Sequence, residues 1–240
     1  IIKLKYIFGV WENFTDIQKI ESVNFINSFQ QDTNQFPKNS YIDPYLVASY
    51  SEKNIKIVAK EHTKKILSLT PKFDFESNEA KLLKAINAET KQAISTLHQV
   101  GARNTHEVEN IISDELTIQK YLDNFDWSRP WNAGAQFASL CVYSETQNLN
   151  LNKDLLSFIK GKSDKTTGSY FSSPPSSSRE VINGAMKVLS GLDWLKEEIH
   201  NPKELIDYCL SHKPIIEGCD IVDYIYVLFK TSQQVNYRKK

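Results

Sequence analysis

The stretch SSREVINGAMKVLSGLDWL, Ser177 to Leu195, holds the strongest helix signal of the chain and decides its fold class. Its apolar residues recur at steps of four and three, so one broad face must be buried. This face consists of Val181, Ala185, Val188, Leu192 and Leu195, widened by Ile182, Met186 and Leu189. Ser177 with Glu180 three residues later predicts a capping box, and the preceding SSPPSSS cannot continue a regular element. The stretch therefore predicts a packed helix.

Helix start signals are frequent in the rest of the chain, whereas strand signals are limited to a short apolar run at the N-terminus. Thr15 with Gln18 forms a second capping box, and Asp43-Pro44 offers a cap followed by proline at the first helical position. Further starts lie near Ser77, Asn104, Pro130, Asn152 and Asn201-Pro202. The sequence therefore predicts an all-α protein of nine or ten helices.

The order of these helices predicts pairs. The pairs are 16–30 with 44–69, 105–123 with 131–146, 152–160 with 178–195, and 202–211 with 219–233, while 78–100 has an uncertain partner. An array of helix pairs buries each pair against its neighbours, so the pairs are expected to repeat in sequence.

Two weak repeats agree with this pairing. The segment Phe25-Ile26 with Thr33-Asn34-Gln35-Phe36 resembles Phe158-Ile159 with Thr167-Gly168-Ser169-Tyr170. Asn34 and Gly168 both tolerate the left-handed backbone that a turn after a helix often needs. The segments 132–135 (Asn-Ala-Gly-Ala) and 183–186 (Asn-Gly-Ala-Met) are a further pair, and their small residues would let two helices approach closely.

The first repeat follows a known pattern of an apolar pair, then Gln, then Gly and an aromatic residue. The matching residues are Phe25, Ile26, Gln31, Asn34 and Phe36, with Asn in place of Gly. In this pattern the chain resembles the α/α toroid superfamily of terpenoid cyclases and protein prenyltransferase β-subunits. The resemblance implies paired helices in a partial or complete α/α toroid, one domain over 1–240 that an upstream segment would extend. It also implies that any chemistry lies at the mouth of the inner helical ring.

Composition excludes several classes of partner. Basic and acidic residues are balanced at 29 each, so the totals favour neither nucleic acid nor an anionic membrane as partner. No apolar run approaches the roughly 20 residues that cross a bilayer, and no signal-peptide layout is present, so we expect a cytoplasmic protein.

Cys141, Cys209 and Cys219 are typical of reduced core cysteines. The histidines show no metal-ligand spacing, and we expect neither a metal nor a cofactor.

Asp220 and Asp223 are the candidate catalytic residues. They open the segment CDIVDYIYVLFK (219–230), which is otherwise apolar on nearly every side until Lys230 and so fits a buried helix. Three residues apart, the two carboxylates project from one face, where they would divide general acid and base work or clamp a substrate hydroxyl. Alternatively, Asp220 caps the helix and Asp223 lies where the helix dipole favours an anion.

A second group of residues is expected to bind the substrate. Indole faces stack on sugar rings, and arginine binds carboxylates in bidentate fashion. The candidates are Asp126, Trp127, Arg129, Trp131, Asn132, Tyr170 and Asn183. Alternatively, the two tryptophans seal the end of the core while Asp126 pairs with Arg129. The loop 164–178 around Tyr170 either covers a pocket or only connects two helices, and His62 is a further candidate at the ring mouth.

Together these features predict an enzyme, or an enzyme-like protein, whose pocket binds a carbohydrate or another polar, hydroxyl-bearing small molecule. The reaction would be a hydrolysis, an elimination or an epimerisation. The alternatives are a helical-repeat module that binds a protein partner without catalysis, and an isoprenoid cyclase-like protein. If Asp126, Asp220 and Asp223 converge on a shared cavity, the enzyme is favoured. If each of them satisfies a separate helix terminus, the binding module is favoured.

Overall fold

Helices form most of the described chain. The computed structural model describes residues 2–51, 77–109, 111–112, 117–175, 177–214 and 218–238. Ten α-helices and a single two-stranded sheet within these ranges confirm the all-α class. The chain divides into unit 1 (Ile1–Ile111) and unit 2 (Ile112–Lys240), and each unit is described by itself. A single domain over 1–240 stays a prediction.

Unit 1 is built around a long helix and a short hairpin. Its elements are α1 (Ile2–Ile7), a 3-10 turn (Trp11–Asn13), α2 (Asp16–Asn27), β1 (Gln30–Gln31), β2 (Ser40–Tyr41), α3 (Pro44–Ser51) and α4 (Asn78–Gln99). The strands pair antiparallel, with Gln30 opposite Tyr41. The amide of Tyr41 donates to the hydroxyl of Thr90 at 3.0 Å, which ties the hairpin to α4. The buried core beside it consists of Ile42, Leu82 and Ile86.

Unit 2 contains six helices. They are α5 (Ile118–Asp123), α6 (Pro130–Thr146), α7 (Asn152–Lys162), α8 (Ser178–Leu195), α9 (Pro202–Ser211) and α10 (Asp220–Gln234). The most extensive contact joins α6 to α8, and α10 packs on both α8 and α9. α7 packs mainly on α5 and α6.

The helices α6, α8 and α10 run parallel. Pro130, at the start of α6, lies against Gly184, and Phe137, further along, lies against Gly191. In the same way, Asp220 at the start of α10 accepts a hydrogen bond from Asn183, and Lys230 donates to Asp193 nearly three turns later along both helices. The N-termini of these three helices therefore lie at one end of unit 2.

Glycines set the distance between α6 and α8. A Cβ atom on Gly184 would lie 2.6 Å from the Cβ of Pro130, and one on Gly191 would lie 2.9 Å from Cε1 of Phe137. Real Cβ atoms do not approach other carbons so closely, so the helices pack at this distance only because glycine occupies both positions. This confirms the expectation that small residues let two helices approach.

Most of the predicted helix starts are confirmed. Thr15 and Gln18 form the complete capping box, each side chain accepting the other's backbone amide. Ser77 caps α4 through the amide of Ala80. Ser177 accepts the amide of Glu180 at 3.3 Å, but the Glu180 carboxylate accepts the amide of Trp131 instead of completing the box. Glu180 therefore links α8 to the start of α6.

Three local predictions are wrong. The N-terminal apolar run forms α1 rather than a strand. The helix expected over 105–123 does not begin near Asn104: residues 101–109 are not helical, and Thr117 caps the shorter helix α5 (Ile118–Asp123). Asn34 does not take the left-handed backbone that Gly168 (φ 75°) adopts as expected; Asn39 (φ 62°) takes it instead.

The non-helical conformation of residues 105–109 has a tertiary cause. The amide of Glu109 donates to the carbonyl of Lys38 at 3.1 Å, and the side-chain amide of Asn39 donates to the carbonyl of Glu107 at 2.8 Å. The amide of Glu109 and the carbonyl of Glu107 are thus bound to the hairpin, whereas in a helix they would bond to other backbone groups of the same segment. The predicted continuation of the second helix over 52–69, with His62, lies outside the described residues.

Candidate functional site

Asp220 lies in a polar cluster between α8 and α10. Its carboxylate, 4% exposed, accepts a hydrogen bond from Nδ2 of Asn183 at 2.8 Å and an ion-paired one from Nε of Arg179 at 2.9 Å. Arg179 and Asn183 are one turn apart on α8, so both face α10. The network compensates the buried charge of Asp220 with two donors from a single neighbouring helix.

Asp223 lies one turn further along α10 and is equally buried, at 4% exposed. Burial, with a smaller contribution from the negative charge of Asp220, raises the pKa of Asp223 above its usual range. The positive charges of Lys187 and Arg179 oppose this rise. The two predicted acids therefore do share one face of a helix, and their surroundings differ.

The start of α6 lies beside this cluster. Trp131 is 44% exposed, and the ammonium of Lys187 lies 5.7 Å from the centre of its ring. The Trp131 amide donates to Glu180 at 3.3 Å. Asn183, Asp220, Asp223 and Trp131 thus lie at the same end of unit 2.

The remaining residues of the segment 126–132 have local roles. Trp127 is buried, donates from Nε1 to the carbonyl of Leu122 at 2.9 Å, and packs on Phe158, so it seals part of the core. Exposed Asp126 accepts both the amide and the hydroxyl of Ser128, which lowers its pKa. Within the described ranges no ion pair joins it to Arg129. Arg129 and Asn132 are exposed to solvent.

Tyr170 belongs to a closed corner rather than to an open loop. Its ring is fully buried, and its hydroxyl lies 3.2 Å from Nδ1 of His200. The corner is fastened by Asp164, whose carboxylate accepts the amide and the hydroxyl of Thr167 at 2.7 and 2.8 Å. A Cβ on Gly168 would lie 2.5 Å from the carbonyl of Asn201, so the corner packs tightly on the start of α9.

The cysteines divide into two kinds. Cys141 and Cys209 are buried, and burial raises the pKa of Cys209 to about 12 and that of Cys141 further, so neither thiol is a nucleophile near neutral pH. Cys219 is exposed, contrary to the expected core position, because it precedes the first turn of α10. In the described ranges no three His, Cys, Asp or Glu side chains are grouped to hold a metal ion.

A cavity of about 230 Å³ in unit 2 lies away from the acid pair. Its lining includes Leu192, Asp193, Lys230 and Gln234, at the C-terminal ends of α8 and α10. A larger cavity, of about 580 Å³, lies in unit 1 between α1, α2, α4 and β2. Phe25 and Ile26 belong to the lining of this cavity, and the sequence marks them only through the repeat, not as binding residues.

Comparison with known proteins adds no assignment, since no family model, curated protein or solved structure matches the chain. None of the described helices is both long enough and apolar enough to cross a bilayer. What the site can do chemically therefore rests on its geometry. A carboxylate held by two donors and a buried carboxyl with a raised pKa are suited either to fastening helices or to acid–base work.

Proposed function

We propose that unit 2 is a helical-hairpin module that binds a helix of a partner protein and performs no catalysis. The observation that carries this proposal is the engagement of Asp220 by Arg179 and Asn183 across the α8–α10 interface. A buried carboxylate that accepts hydrogen bonds from two donors of a neighbouring helix fastens the two helices together. Asp126 also lies at a separate helix start, before α6, where it binds Ser128.

The binding surface is the outer stripe of α10, made of Val222, Ile225 and Phe229. These side chains are 63%, 58% and 55% exposed. They lie three and four residues apart, hence on one face, and the buried residues of α10 lie on the opposite face. The three charged residues of α10 all face other helices or pair with them, so the stripe is uncharged.

The occupant we propose is an amphipathic helix with an uncharged apolar face. α6, α8 and α10 form a row in which each helix packs against the next. A further helix that packed on the outer stripe of α10 would extend this row. An uncharged apolar stripe with helical spacing is the surface that helix-in-groove recognition uses. The same row supports our proposal that unit 2 is an arc of an α/α toroid, with α6, α8 and α10 in its inner layer.

Selection from a library of helical peptides tests this function directly. The full chain should enrich peptides with an apolar stripe at three- and four-residue spacing. Phe229→Ser should weaken the binding of these peptides at least tenfold, since exposed aromatic anchors dominate such interfaces. Trp131→Ser, which removes an exposed aromatic residue from another surface, is the matched control and should keep full affinity. Equal peptide binding by the parent and Phe229→Ser would contradict the proposal.

The carbohydrate enzyme is the second candidate. It is favoured by Asp223, whose pKa burial raises, and by the half-exposed Trp131 at the same end of unit 2. In that case Asp223 would act as general acid and the Trp131 ring would stack on a sugar. Thermal-shift measurements against neutral sugars and uronic acids distinguish the candidates. A shift that disappears in the Asp220→Asn, Asp223→Asn double variant would favour the enzyme; the binding module predicts no shift. Isoprenoid cyclisation and a cytoplasmic location stay predictions.

A further inference from the structure

The cavity of unit 1 has the size and lining of a small-molecule site. Its volume of about 580 Å³ lies within the range of roughly 300–1,000 Å³ that is usual for ligand pockets. Most of its lining is apolar, with side chains from α1, α2, α4 and β2. The cavity lies within unit 1 and is independent of the binding surface proposed for α10.

Aromatic side chains form one wall of this cavity. Phe25 and Phe29 lie one turn apart near the end of α2, with ring centres 5.2 Å apart in an edge-to-face arrangement. Tyr41 is buried and its hydroxyl donates to Asn27 at 2.6 Å, so it presents its ring rather than its hydroxyl. Ala93 on α4 adds a small side chain to the lining, which leaves room for a ligand.

One ammonium group of the cavity has no anionic partner among the residues that the structure describes. Lys3 is half-buried, and burial lowers its pKa. Among the described residues no carboxylate lies within ion-pair distance of it. Lys5, which also lines the cavity, is occupied by the ring of Phe14, 4.1 Å from its ammonium.

The acidic residues of the lining do not serve as the anionic partner of Lys3. Glu21 and Glu89 are exposed, and a carboxylate oxygen of Asp43 accepts the amide of Tyr45 at 2.8 Å. Three carboxylates around the cavity repel a head group that carries several negative charges. A single negative charge is repelled less than several are, and it fits beside Lys3, where no described carboxylate lies within ion-pair distance.

We propose that the unit 1 cavity binds a long-chain carboxylate, with its carboxylate on the ammonium of Lys3 and its acyl chain against Phe25, Phe29 and Tyr41. The acyl chain would cover aromatic and aliphatic surface that is otherwise in contact with water. The head group would supply the charge that the half-buried ammonium lacks.

Displacement of a fluorescent fatty-acid probe from the full chain tests the site. Dodecanoate should displace the probe, and decanoate should bind about 15-fold more weakly, since each buried methylene contributes about fourfold. Lys3→Gln should weaken the binding of dodecanoate at least tenfold and leave the binding of dodecanol nearly unchanged, because only a carboxylate interacts with the charge of Lys3. Lys19→Gln is the control, since Lys19 is a unit 1 lysine that pairs with Glu12 outside the lining. It should change the binding of neither ligand.

Filling the cavity gives a second test that does not depend on charge. Ala93→Phe should abolish binding of both dodecanoate and dodecanol while circular dichroism shows an unchanged helix content. Equal loss of dodecanoate and dodecanol in Lys3→Gln, or dodecylammonium binding as tightly as dodecanoate, would overturn the proposal. So would full binding by Ala93→Phe, since the ligand would then lie elsewhere.

Discussion

A carboxyl group as buried as that of Asp223 loses most of the hydration that stabilises its charge. Its pKa is raised in the folded chain, so the folded state holds the proton more tightly than the unfolded state does. Stability therefore falls as pH rises from the unfolded pKa, near 4, to the raised folded value. Lys187 and Arg179 oppose this loss, and Asp220 adds to it.

Neutralising Asp223 should therefore stabilise the protein at pH 7. We expect Asp223→Asn to raise the free energy of unfolding by on the order of 1 kcal/mol at pH 7, and the gain should shrink as pH approaches 4. Urea denaturation at several pH values measures it. Asp154→Asn, at an exposed position of α7, is the control and should change stability by less than about 0.5 kcal/mol. A gain independent of pH would contradict the argument.

Lys196 stores backbone strain at the end of α8. It has a left-handed backbone (φ 58°), while the amide of the next residue, Glu197, closes the helix on the carbonyl of Leu192 at 2.9 Å. Glycine adopts this conformation without strain, so Lys196→Gly should raise the free energy of unfolding by about 1 kcal/mol. Lys160→Gly, in α7, should instead lower it by about 1 kcal/mol. Thermal denaturation of both variants gives the comparison.

Among the elements, α6 and α8 depend most on small residues. Gly184→Ala places a methyl group 2.6 Å from the Pro130 side chain, which forces the two helices apart. We expect a loss of about 2 kcal/mol in the free energy of unfolding, in the usual range for overpacking. Chemical denaturation monitored by circular dichroism measures this loss.

Gly161 is the matched control for this substitution. It lies in α7, and a Cβ atom there would meet nothing within 4 Å. Gly161→Ala should therefore stabilise the protein by up to about 1 kcal/mol through helix propensity alone. If both alanine variants shifted stability in the same direction, close packing at Gly184 would not be the cause.

The starts of helices could be predicted because a cap is a local signal. Thr15, Ser77 and Pro130 each determine a start through residues at most three positions away. The conformation of residues 105–109 could not be predicted, because their backbone bonds to Lys38 and Asn39, about 70 residues earlier. The N-terminal run was also ambiguous, since short apolar runs fit either a strand or a helix.

The candidate site could be predicted in part. The shared face of Asp220 and Asp223 follows from their spacing, whereas the partner Arg179 lies 41 residues away and on another helix. Arg179, Asn183 and Lys187 form a polar stripe at four-residue spacing beside the apolar stripe of α8, and that pattern would have indicated the interface. The unit 1 cavity depends on packing between helices and leaves no such pattern.

At the scale of the whole molecule, we propose one binding surface in each of the two units. The outer stripe of α10 would bind a partner helix, and the cavity of unit 1 would bind a long-chain carboxylate. A balanced charge of 29 basic and 29 acidic residues agrees with partners that are recognised mainly through apolar contact. The buried cluster between α8 and α10 keeps α10 in the position where its outer stripe faces solvent.

The central claim is that Asp220 fastens α10 to α8, and urea unfolding of Asp220→Ala tests it most directly. Removing this carboxylate leaves Asn183 without its partner and Arg179 without its counter-ion. We predict a loss of about 3 kcal/mol in the free energy of unfolding, and a non-additive result when Asn183→Ala is combined with it. A loss below about 0.5 kcal/mol, with additive effects of the two substitutions, would contradict the account.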